Sequence, residues 1–150
     1  MSTESSRPFN IARVEFTSIH VHGSHQWVFV EVTDNGGNTG LAELASSGAA
    51  TEIARLTAEY AERLRLSPPM GESDVTAVLG LTAEELEADR PRATAVSALR
   101  TAIADAQARQ SGVSLGQFLG GQRTESVQLY GNMNRSMLPD DDGPKDRSPK

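Results

Sequence analysis

An α+β fold, a three-stranded antiparallel meander followed by a helical bundle, is the architecture this sequence predicts. Three observations carry that reading. Apolar and polar residues alternate with a period of two from Ile11 to Leu44, the period changes to about 3.6 beyond Gly48, and the early segments are joined by connections too short for a crossover helix.

The first strand begins at Ile11, after a Ser-rich start. Along it, Ile11, Arg13, Glu15 and Thr17 oppose Ala12, Val14 and Phe16, with Ile19 and Val21 joining the latter set after a shift. Trp27–Val32 is a dense aromatic and β-branched run, which reads as a well-buried strand. Asp34-Asn35-Gly36-Gly37-Asn38 follows as a turn, because Asn and Gly tolerate the positive φ that tight hairpins need. Thr39–Leu44 is the third strand.

The helices have readable boundaries. Ile53, Leu56, Tyr60 and Leu64 make one apolar stripe, which Ser67-Pro68-Pro69 ends because proline cannot continue the hydrogen-bond ladder. A short helical stretch is expected over Glu72–Leu79. Thr82 and Glu85 have capping-box spacing, and Pro91 starts or bends the next helix. That helix presents Val96, Leu99, Ile103 and Ala106, and its many alanines allow close approach to another element. Gly112 is placed to end it. A helical turn over Val113–Gly121 and a short strand over Val127–Tyr130 complete the pattern.

Composition excludes several functions. The chain has 150 residues, 37% apolar and 23% charged, with a net charge of -6 and no dense Lys/Arg stripe, so nucleic acid is not an expected partner. It has no cysteine, which removes disulfides, thiolate metal sites and a Cys nucleophile. Met1–Pro8 lacks the apolar core of a signal peptide, and no apolar run approaches the roughly 20 residues that span a bilayer. No membrane partner is expected, and the cytoplasm is the default location.

Few residues look chemical. No Gly-x-Ser-x-Gly elbow and no phosphate loop with its Lys is present. Glu84, Glu85, Glu87 and Asp89 belong to helix starts, where acids complement the macrodipole. His20, His22 and His25 are the sharpest cluster. Simple alternation puts His20 and His22 on one face, so a three-imidazole zinc site is one reading, and solvated turn histidines without a second shell are the favoured other. No catalytic residue and no metal ligand is assigned on these grounds.

Taken in order, several segments resemble one family. Trp27–Asp34, the Gly-rich turn and Thr39-Gly40-Leu41-Ala42-Glu43 are similar to the opening meander of the mandelate racemase and muconate-lactonizing enzymes of the enolase superfamily. Ala95–Leu99 with Ala102–Arg109 resembles that family's alanine-rich helix, and Gly112–Leu115 with Phe118–Gly121 resembles the link into its barrel. Val127–Asn132 resembles the first strand of that TIM barrel. The Ser-rich start reads as a disordered segment over 1–10, and the resemblance implies an enolase-like N-terminal capping domain over 11–125 and, over 126–150, the start of an otherwise missing barrel.

A Mg²⁺-dependent proton abstraction α to a carboxylate is the chemistry implied for a full-length parent, on an acid sugar, by dehydration or racemisation in a homo-oligomeric enzyme. Its metal ligands and bases belong to later barrel strands, so none is carried over. What is carried over is substrate contact by His22, Gly23, Ser24, His25 and Gln26 after the first strand and by Ser46 and Ser47 after the third. Asn132, Asn134 and Arg135 follow the first barrel strand, at the active face of such barrels. Arg135 is suited to a bidentate fork on a carboxylate. The alternative is a stand-alone or partner-docking interaction module without catalysis.

Ser148-Pro149-Lys150 is a helix start with nothing after it, so the chain is expected to continue in a longer protein and to be inactive alone. Sequencing past codon 150 checks this. About 250 further residues in frame is the expected result, and a stop there, with a native mass matching 150 residues, overturns it.

Overall fold

The alternating segments pair into a sheet of strand order β1-β2-β3, built from β1 (Ile11–His22), β2 (His25–Asp34) and β3 (Thr39–Leu44). The computed structural model describes residues 7–22, 25–44, 49–121, 126 and 128–129, with only the backbone at 21, 22 and 25. Both strand pairings are antiparallel, and cross-strand partners share a face. Val14, Phe16 and Ser18 align with Val32, Val30 and Val28, which align in turn with Gly40, Ala42 and Leu44. Val28, Val30, Val32, Ala42 and Leu44 are buried beneath the helices.

The opposite face corrects two expectations. The register runs unbroken from Arg13 to His20, so Ile19 does not switch to the buried side; it pairs with Trp27 facing outward. Trp27–Val32 is therefore buried on one face only, and Trp27 is 52% exposed. The anticipated shift lies elsewhere, at irregularities between Ile11 and Arg13 and between His20 and His22. The first of these lets Ile11 stay in the core although Arg13 faces solvent. Phe9, in the segment expected to be disordered, is also buried, and its amide donates to the Pro69 carbonyl at 2.7 Å.

Asp34 organises the β2–β3 turn. Its Oδ1 accepts from the amides of Gly36 and Asn38, both at 2.8 Å, and its Oδ2 accepts from Asn38 Nδ2 at 2.9 Å. Three bonds on one nearly buried carboxylate fix the loop that Gly37, at φ +82°, completes.

Helix α1 (Ala50–Leu66) buries Ile53, Leu56, Tyr60 and Leu64, as its stripe predicts, and ends at Ser67. Arg63 covers the Tyr60 ring at 5.7 Å and donates to the Leu79 carbonyl, joining α1 to the next segment. A 3₁₀ turn (Glu72–Asp74) leads into α2 (Val75–Val78), within the expected helical stretch. Helix α3 (Ala83–Ala88) starts at the full Thr82–Glu85 capping box. Asp89 then caps α4 (Arg90–Gln110) by accepting from the Arg92 amide at 3.0 Å, so Pro91 sits in the first turn and starts this helix. Gly112, at φ +68°, closes α4 while the Val113 amide returns to the Ala108 carbonyl at 3.0 Å. Helix α5 (Leu115–Phe118) has its own capping box from Ser114 and Gln117.

The core lies where α1 and α4 meet the inner face of the sheet, with Leu64, Leu99, Ile103, Val30 and Val32 fully buried. Each such side chain contributes about 1.5–3 kcal/mol. The closest approach is between β3 and α4. A Cβ added at Gly40 would overlap the Ala102 carbonyl oxygen and lie 2.5 Å from the Ala106 amide nitrogen. One turn along, Asp105 Oδ2 accepts from the Leu41 amide at 3.0 Å and pairs with Arg109 Nη2 at 3.2 Å. A helix side chain thus occupies a donor on the open edge of β3.

Beyond Gly121 only Ser126, Gln128 and Leu129 are described, and none is in a strand. The strand expected over 127–130 includes Val127 and Tyr130, which lie outside the described residues.

Gly40→Ala is expected to cost about 3 kcal/mol, since backbone on both sides must move. Asp34→Ala is expected to cost roughly 2 kcal/mol through lost bonds to a charged acceptor. Urea unfolding measures both, and midpoints within error of the parent would contradict these packing assignments.

Candidate functional site

Pairing between β2 and β3 ends at Val28–Leu44, whereas pairing between β1 and β2 continues to His22–His25. Residues 19–22 and 25–27 therefore extend as a two-stranded ribbon past the end of β3. Leu44 closes β3 at this same end, and Ala50 opens α1. His22, His25 and Leu44 thus lie toward one end of the sheet, and the sequence-derived candidate segments 22–26 and 46–47 adjoin them in the chain.

Of those candidates, Gln26 is the one whose side chain is described, and it is exposed. His22 and His25 are direct cross-strand partners at the tip of the ribbon. Gly23, Ser24, Ser46, Ser47, Asn132, Asn134 and Arg135 lie outside the described residues. The backbone register shifts between His20 and His22.

Sequence reasoning missed two features of the ribbon. Ser18 Oγ donates to Gln26 Oε1 at 3.4 Å, so the face continuous with Val28 turns polar toward the tip, with His20 opposite Gln26. The other face is apolar, with Ile19 paired to Trp27. Strict alternation through Arg13–His20 is the signal that would have found both.

A concavity of about 430 Å³ lies between α3, α4 and α5, lined by Leu86, Val96, Ala104, Leu115 and Leu119 among others. Its charged groups are already engaged with each other. Arg100 donates to Glu72 Oε2 through Nε at 2.8 Å and Nη2 at 2.6 Å. Among the described residues no group of three or more His, Cys, Asp or Glu is placed to hold a metal ion, and no helix is long and apolar enough to cross a membrane. The groove can take apolar surface, and its residues supply no acid–base pair for chemistry.

Among the described residues, the Glu85 carboxyl is displaced from its ordinary value. The Thr82 amide, donating to Glu85 Oε2 at 2.8 Å, lowers the Glu85 pKa below 4.5, and the Thr82 hydroxyl and the Arg92 charge add to this. It is a helix-start carboxylate serving structure.

A meander whose inner face rests on an alanine-rich helix, with a ribbon reaching past its third strand, defines the α+β domain that opens enolase-superfamily proteins. The family model for the mandelate racemase / muconate lactonizing enzyme N-terminal domain matches residues 3–120, and the chain belongs to that family.

A mandelate racemase/muconate lactonizing enzyme from Bordetella bronchiseptica RB50 superposes with a TM-score of 0.66 at 26% identity, over 77% of this chain and 34% of that one. Two others share the fold. An enolase from environmental shotgun sequencing of the Sargasso Sea has a TM-score of 0.59 at 14% identity, covering 71% of this chain and 31% of that one. An unknown member of the enolase superfamily from Enterococcus faecalis V583 has a TM-score of 0.56 at 21% identity, covering 78% and 35%. The chain thus spans about a third of the length of these structures. No curated protein sequence matches it.

Because the folded-state pKa of Glu85 is lowered, its contribution to stability is complete well above pH 4.5 and declines as pH falls through the folded value. Glu85→Gln is therefore expected to flatten the pH dependence of unfolding in that acid window and to leave its slope at neutral pH unchanged. A carboxyl NMR titration placing Glu85 at or above 4.5 would contradict the assignment.

Proposed function

We propose that this chain is the capping part of a longer Mg²⁺-dependent enzyme that removes a proton α to a carboxylate, acting on acid sugars as a dehydratase or racemase-like enzyme in the cytoplasm. The observation that carries this reading is the family match over residues 3–120, in a chain spanning about a third of the structures it resembles. The described residues do not fit a Mg²⁺ site, having no cluster of three or more acidic or imidazole ligands, so the metal and the base belong to the barrel portion of the parent.

This chain's own contribution is positioning and exclusion of water. The β1–β2 ribbon extends past the end of β3 at Leu44, which suits this end of the sheet to face a neighbouring active site. Ser18, His20 and Gln26 on one face of the ribbon supply donors and acceptors suited to a polyhydroxylated carboxylate. His22–Gln26, Ser46 and Ser47 belong to the same closing surface, and Asn132, Asn134 and Arg135 to the barrel mouth.

The test uses the full-length protein encoded by the source gene, with Mg²⁺, in D₂O, against a panel of acid sugars. α-Proton exchange or loss of water is expected with at least one of them, and none from the 150-residue chain alone. Gln26→Ala in the full-length protein is expected to change the kcat/KM ratio between two acid sugars by about tenfold, because a pocket built to hydrogen-bond a hydroxyl discriminates strongly. Absence of exchange with every acid sugar would refute the substrate class. An unchanged ratio would refute the role of the ribbon while leaving the chemistry standing.

A further inference from the structure

We draw no further inference here: the strongest candidate, the apolar stripe of Ile19, Trp27, Phe29 and Leu41 on the outward face of the sheet, carries nothing because nothing in the structure shows what covers it.

Discussion

The contact between Gly40 and the backbone of α4 governs the rest of the structure. With no side chain at residue 40, the helix at Ala102 and Ala106 comes close enough to β3 for its backbone to fill the space a Cβ would take. That proximity lets Asp105 reach the Leu41 amide, so the helix also supplies an acceptor to the sheet edge. It also fixes the height of α4 beneath β2, which decides which side chains fit there. Val30 and Val32 are completely buried, and Leu99 and Ile103 fill the space toward α1. A larger residue at 40 or 102 would lift the helix and open voids across this layer, because interiors pack at crystal-like density.

The outward face of the sheet obeys a different balance. Glu15 and Glu31 are direct cross-strand neighbours, an unfavourable pairing by charge, and Arg13 sits beside both at 3.4 and 4.0 Å. Arg13 and Glu15 are exposed and Glu31 is half-buried, so solvent screens much of the arrangement and its net worth is small. Beside them the face becomes apolar at Phe29, Trp27 and Ile19. One strand pair thus changes character along its length, charged next to the β2–β3 turn and apolar toward the ribbon tip.

Much of this was legible in the sequence because the informative signals are local. The Thr82–Glu85 box, Pro91 in the first turn of α4 and Gly112 at its end each act within one helical turn, and each sits where its spacing places it. The strands were legible from their period, but the choice of face in β1 was not. A single irregularity reverses every later side chain, and residues 11–21 alone do not say where it falls. Phe9 was invisible for a related reason, since its partner, Pro69, is sixty residues away. Asp105 looks like an ordinary surface acid in a helix until the strand edge is placed beside it. The candidate site residues rest on family resemblance alone. Hydrogen-bonding residues in a loop have no periodicity, and their role is set by what they face.

The ribbon at the end of the sheet has one further consequence. Beyond Val28 each of its strands has a single neighbour, and two strands alone are marginal in water. Its backbone bonds are thereby thermodynamically uncoupled from the global unfolding of α1, α4 and the central sheet. Residues near the tip can then be exchanged with little effect on the folded population. A substitution on the ribbon is then cheap in folding terms, whereas one at Gly40 is not.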